Sequence, residues 1–338
     1  MTALFNDTPF PAQLCRYTDK DGHQAVAAIL KVTFALPQGG GQCRPDIDQA
    51  EILAVPEYYG ERGHSSIRMP ADLGPPNPGT DVVFVGDAYA PSLRPVPEVV
   101  TRLRVGPLDK RVVVVGERKW TRTVVGSVIS PPVPFARMPM VYERAFGGTP
   151  PSQLEASQPR LDDRNPVGTG YCARRADVQD MRLPNLEDPC HRIRSWRDHP
   201  PVAGFGAVDA HWRPRRERAG TMDGEWRRER APLLPADFDP RFLSVASEGL
   251  WAREALAGPI EVELEHLCAE PRLRFLFPPL RVDTVFTEAG EALSVRASLR
   301  RLVIEPGAQR LMALWSAPYR LGKRPSALSS VEISLRWC

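Results

Sequence analysis

Long apolar runs are missing from this sequence. Those present, such as Val112–Val115, fall far short of the roughly 20 residues that span a bilayer. Met1–Gln13 shows no basic segment followed by an apolar one, so no secretory leader is expected and the reading is cytoplasmic. Charge of one sign is equally scarce: 44 basic against 41 acidic residues leave a net charge of only +3. The densest basic stretch, Arg174–Arg230, holds 13 Arg but also 10 Asp or Glu. That is a mixed polar surface and not a phosphate track, which argues against nucleic acid and membrane partners. Cysteine pairs are absent too. The six cysteines (Cys15, Cys43, Cys172, Cys190, Cys268, Cys338) are scattered without a C-x-x-C, as expected for reduced thiols in the cytosol.

The signatures of common enzymes are also lacking. No G-x-x-x-x-G-K-[ST] occurs, and Gly204-Phe205-Gly206 carries only half of a dinucleotide fingerprint, in a loop. Without a G-x-S-x-G elbow the usual serine-hydrolase arrangement has no nucleophile, and Gly63-His64-Ser65-Ser66 has no motif around it. Cys172, Cys190, His191, His199 and His211 share the central segment, and four such side chains could hold zinc, but their spacing matches no recognised finger. Asp19-Lys20-Asp21-Gly22 begins like a calcium loop, lacks its later ligands, and reads better as a β-turn. Asp162-Asp163 and Glu187-Asp188 are sequence neighbours, which does not supply the facing groups of general acid–base chemistry. The expectation is therefore no catalytic residue, no metal and no cofactor.

What the sequence does have is proline: 36 Pro with 25 Gly, against a usual proline share of about 5%. Proline interrupts helices and central strands, so short strands with many turns are expected and long helices are not. Apolar residues at 42% and charged residues at 25% fit a globular chain with a sizeable core. The fold class expected is mainly β, with antiparallel sandwich- or barrel-like halves and a long ordered loop segment. Residues 1–143 read as a β-rich region, 144–240 as a loop-rich layer packed on the strands, and 241–338 as a second antiparallel region, with one continuous domain open as the alternative.

In the first region Gln24–Leu36 and Asp81–Asp87 are strand-like, and Trp120–Ile129 adds one or two strands. Val99–Val105 and Arg111–Val115 are spaced for a hairpin with a five-residue Gly-Pro-Leu-Asp-Lys loop. Gly74–Gly79 and Ala90–Pro97 are proline-rich connectors. Between Arg144 and Pro240 the apolar periodicity disappears, yet Trp196, Phe205, Trp212, Trp226 and Phe238 recur. Disorder predicts few aromatics, so an ordered layer pinned by them is expected. A short helix is expected at Ala246–Leu256. Ile260–Leu267 alternates cleanly, and Arg272–Phe277, Arg281–Phe286, Leu293–Leu299, Arg301–Glu305, Leu311–Ser316 and Val331–Trp337 follow as strands.

A set of strings in the middle of the chain is specific in combination. They are YERAFGG (142–148), RNPVGTGY (164–171), LPNLEDP (183–189), GFGAV (204–208), WRPR (212–215), AGTMD (219–223), Trp226 and LPADFDPRF (234–242). With Asn6–Phe10, Phe275-x-x-Pro and Val303–Pro306, they make the chain resemble the family catalogued as domain of unknown function twenty-one sixty-nine (DUF2169), over roughly residues 4–318. The resemblance implies a non-enzymatic adaptor or chaperone of bacterial type VI secretion that binds an effector and helps load it onto the VgrG and PAAR spike. It also implies a standalone form, without an appended effector domain.

Two readings of the motif residues stay open. Asn165, Pro166, Gly147 and Gly148 supply turn chemistry and close backbone approach, with Arg144 and Arg164 satisfying buried acceptors. Alternatively, the loops form a groove for effector or spike, anchored by Arg144, Phe146, Asn165, Phe205, Trp212, Arg213, Arg215 and Trp226, since Trp and Arg dominate binding hot spots. The abundance of Arg over Lys favours interfaces or reflects a GC-rich coding sequence. A metal-dependent hydrolase built on the central Cys and His residues and a carbohydrate-binding β-sandwich are the rival functions.

Overall fold

Even-numbered residues of the strand Gln24–Ala35 explain the architecture. Val26, Ala28, Leu30, Val32 and Phe34 all enter the main core, while Ala27 and Ile29 join a second cluster on the opposite face. A strand buried on both sides reads as a continuous apolar run, and here it lies deep inside a sheet. The computed structural model describes residues 2–124, 126–153, 160–322 and 327–337.

The largest sheet has seven strands. Its path runs Trp251–Ala252, Thr80–Phe84, Ser298–Glu305, Arg310–Arg320, Gln24–Ala35, Ala12–Thr18, with Arg44–Pro45 beside Gln24–Ala35. A six-stranded sheet runs Leu186–Glu187, Leu108–Val115, Glu98–Val105, Ile260–Glu265, Arg272–Phe277, Gly41–Gln42. A four-stranded sheet orders Ala3–Asn6, Leu328–Trp337, Leu280–Glu288 and Glu291–Arg296. The main core lies where their inner faces meet. Phe34 meets Phe277 edge-on at 5.1 Å, and Trp315 stacks on Phe277 at 6.1 Å, which ties the seven- and six-stranded sheets together.

The mainly β class is as the sequence indicates. The sheets are mixed, because Thr80–Phe84 runs parallel to Ser298–Glu305 and Ala3–Asn6 parallel to Leu328–Trp337, and none closes into a barrel. Three local expectations need correction. The Glu98–Val105 and Leu108–Val115 hairpin turns on only Gly106 and Pro107, because Leu108–Lys110 continue the ladder and Gly106 takes a positive φ. No helix forms at Ala246–Leu256; Gly249 at φ +83° turns the chain and Trp251–Ala252 pairs with Thr80–Asp81. The α-helix found among the described residues is Gly224–Glu229, capped by the Asp223 side chain accepting from the Trp226 amide. The strand boundary expected near Arg300 lies at Ala297, where the chain passes from the four- to the seven-stranded sheet.

Among the described residues between Arg144 and Pro240, Leu186, Ala203, Phe205 and Trp212 enter the main core, while Phe146, Cys172, Val178, Met181, Leu183 and Ile193 form a smaller cluster with Trp120. No helix among the described residues is long and apolar enough to cross a membrane. The described cysteines are free thiols, and Cys338 lies outside the described residues.

Candidate functional site

The family strings interlock. Asn165 is fully buried and its side-chain amide donates to the carbonyls of Tyr142 (2.8 Å) and Phe146 (3.1 Å). Gly147, at φ +148°, lies so close that an added Cβ would sit 2.2 Å from the Asn165 carbonyl oxygen. The two strings YERAFGG and RNPVGTGY can therefore cross only because one supplies an amide and the other a bare backbone. Gly204 lies against the Tyr142 ring, whose Cε1 would be 2.7 Å from a Cβ there, and the Tyr142 hydroxyl donates to the Gly206 carbonyl at 3.1 Å. Phe205 between them is buried against Phe84.

The charged motif residues are tied down in the same way. Arg144 bridges Glu117 (2.7 Å) and the Asn185 side-chain oxygen (2.8 Å), while Asn185 donates to the Val115 carbonyl at 2.9 Å. Arg164 grips Asp162 through two nitrogens and donates to the Pro200 carbonyl. Glu187, only 1% exposed, is held between Arg118 and Arg192. Arg215 gives its guanidinium hydrogens to the carbonyls of Phe242 and Val208. Its burial pushes its pKa down to about 10.

Over this framework opens a cleft of about 580 Å³. Trp212, itself edge-on to Tyr142 at 5.4 Å, and Trp251 supply its aromatic surface. Five arginines (Arg164, Arg213, Arg215, Arg218, Arg241) line it with Glu217 and Glu248. Arg164 pairs with Asp162 and Arg213 with Asp163 and Glu217, so the cationic surplus rests on Arg215, Arg218 and Arg241. The Arg241 guanidinium lies over the Trp251 ring at 4.5 Å, and Trp251 is fixed by donating to the Pro78 carbonyl at 2.7 Å. Burial and the nearby Arg241 charge hold Arg218 below its ordinary pKa. Beneath the cleft the Lys110 ammonium donates to Ser247 Oγ at 3.0 Å, and that hydroxyl donates to the Gly204 carbonyl at 3.1 Å. Burial pushes Lys110 down to about 8.

Of the residues singled out by sequence, Trp212, Arg213 and Arg215 come together in this cleft. Phe146, Asn165 and Phe205 are interior side chains. Arg144 faces Glu117 and Asn185, and Trp226 sits on the short helix with its indole donating to the Leu233 carbonyl at 2.9 Å. Trp251, Arg218, Arg241 and Glu248 complete the cleft and were not singled out. Arg241 lies within the LPADFDPRF string, which was the one available signal.

The possible zinc ligands are dispersed. Cys172 is buried with its thiol against the Arg174 carbonyl, His191 contacts Asp188 at 2.9 Å, and His199 packs edge-on to Phe146 and Tyr171. Cys190 is exposed. Among the described residues no three His, Cys, Asp or Glu side chains are grouped to hold a metal ion. Ser66 Oγ donates to Glu143 and Ser65 Oγ to the Glu61 carbonyl.

Comparison with known proteins gives one match. The model of a bacterial family described as "Uncharacterized protein conserved in bacteria (DUF2169)" covers residues 21–316, which include the interlocked strings and the whole cleft. No curated protein and no solved structure matches the chain. With most of its length under that model, the chain belongs to the DUF2169 family.

Proposed function

We propose that this protein is a cytoplasmic, non-enzymatic adaptor that binds a type VI secretion effector and assists its loading onto the VgrG and PAAR spike. The cleft carries the reading: an aromatic floor of Trp212 and Trp251 ringed by arginine is the composition of a protein-binding hot spot. Its cationic surplus favours a partner segment with apolar anchors and flanking carboxylates, since charge complementarity selects partners and speeds their encounter. Support also comes from the way the walls are held. Arg215, Trp251 and Arg164 are locked to backbone carbonyls, so the surface is preorganised and little ordering entropy is lost on binding.

Co-expression tests this reading. The effector encoded beside this gene in a type VI secretion cluster should be recovered in greater soluble yield with the protein than without it, and should co-purify with it. Unchanged yield together with no co-purification would contradict the proposal.

A further inference from the structure

We infer that a second cavity, on the outer face of the seven-stranded sheet, binds a small oxyanion of the phosphate or carboxylate class. The inference does not rest on the adaptor reading; this cavity is separate from the cleft and shares only Arg215 with its wall.

The origin of the site lies in one irregularity of a strand. Consecutive residues of a regular strand point to opposite faces, so Arg300 and Arg301 should part. The pairing register of Ser298–Glu305 with Arg310–Arg320 shifts between Leu299 and Arg301. Leu299 and Leu302 consequently both enter the main core, while Arg300 and Arg301 both line the cavity. A bulge that aims two guanidinium groups at one space is a device found beside functional sites.

The space they share measures about 260 Å³ and carries a positive surplus: Arg62, Arg215, Arg300 and Arg301 against Asp72 and Asp209. Both carboxylates are already engaged. Asp72 accepts from Lys31 (2.7 Å) and the Leu53 amide (3.0 Å) and lies 3.5 Å from the Arg301 guanidinium, which also donates to the Ala71 carbonyl at 2.7 Å. Asp209 accepts from the Tyr58 hydroxyl and the His211 amide, each at 2.9 Å, so of the Arg300 and Arg301 pair Arg300 is the guanidinium left without an acid. Arg300 bonds only to the Asn77 carbonyl and has no carboxylate partner among the described residues. Burial holds it below its ordinary pKa, as an uncompensated charge requires.

Three buried polar atoms on residues that line the cavity have no partner among the described residues: Arg300 Nε, Arg301 Nε and Ser316 Oγ. Arg301 is 6% exposed and Ser316 is 4% exposed. An unsatisfied buried donor costs about 1–3 kcal/mol, more when charged, and native proteins rarely leave three together. All three can donate, two of them obligatorily. The ligand that satisfies clustered donors and neutralises surplus guanidinium charge is an oxygen-rich anion.

Calorimetric titration of the full chain with inorganic phosphate and, separately, citrate tests the assignment. At least one should bind saturably at one site, and the preference between them assigns the ligand class. Arg300→Gln should weaken that binding about tenfold or more, since a charge-assisted bond is lost. Ser316→Ala, which keeps the guanidinium pair, should weaken it less, and Arg281→Gln on the remote four-stranded sheet should leave it unchanged. The assignment is overturned if neither anion binds, or if folded Arg300→Gln and Ser316→Ala both bind as the wild type does.

Discussion

Lys110 sits in an environment that penalises its charge. Its ammonium lies beneath the cleft with one hydroxyl partner, and burial lowers its pKa from 10.5 to about 8. Between those values the unfolded chain binds the proton that the folded chain has released, so stability rises with pH across that window. Below pH 8 the folded state carries the full desolvation cost. Lys110→Met keeps the stem and removes the charge, and Ser247 retains its bond to the Gly204 carbonyl. The variant should be more stable than the wild type at pH 7, on the order of 1–3 kcal/mol by urea unfolding, with the difference vanishing above pH 10.5. An equal difference at both pH values would show that burial of charge is not the cause. Glu187 illustrates the opposite solution, since its carboxylate is enclosed but held by two arginines.

At the scale of elements, the central layer is fixed by crossings and hardly at all by ladders. Its own strands are two-residue pairs, such as Phe146–Gly147 with Thr169–Gly170. Asn165 closes the crossing on which the layer hangs. Asn165→Ala removes two buried hydrogen bonds and leaves the Phe146 carbonyl without its side-chain donor, while the Tyr142 carbonyl keeps the Ala145 amide, which should cost about 2–4 kcal/mol. Limited proteolysis of that variant should cut first between residues 160 and 240, while the sheets persist; simultaneous loss of all segments would mean that the layer does not open on its own. Sequence reveals these levels unevenly. Ile260–Glu265 was legible because its alternation is clean, although the face read as wet is not fully so: Glu263 is 4% exposed and held by Arg272 and Arg274. The layer's fastenings were visible only as isolated Asn, Gly and Arg, because amide-to-carbonyl bonds have no periodicity. The bulge at Arg300 leaves no compositional mark, and the helix expected at Ala246–Leu256 failed because Gly249 outweighed the Leu, Ala and Glu around it.

Across the whole molecule, chain segments far apart in sequence build each site. Tyr142, Trp212, Arg241 and Trp251 meet in the cleft, and the Gly74–Asn77 connector meets the Arg300 strand in the second cavity. That long-range assembly is why Trp251, Arg218, Arg241 and Glu248 escaped sequence reasoning. Arg213 and Trp212 belong to a visible string, whereas Trp251 reaches the site only through its pairing with Thr80–Phe84. The three sheets that enclose the core hold these segments in register and leave the arginine-lined cleft open on one side.

The central claim is that this surface grips a polypeptide. The measurement that tests it most directly is the affinity of the purified protein for the proposed effector partner, compared with a double variant, Arg213→Glu with Arg241→Glu. Both side chains are exposed, so the fold should survive, as circular dichroism would verify. The account predicts tight binding by the wild type and a loss of at least about tenfold in the charge-reversed variant. Equal affinity of the two proteins would contradict it.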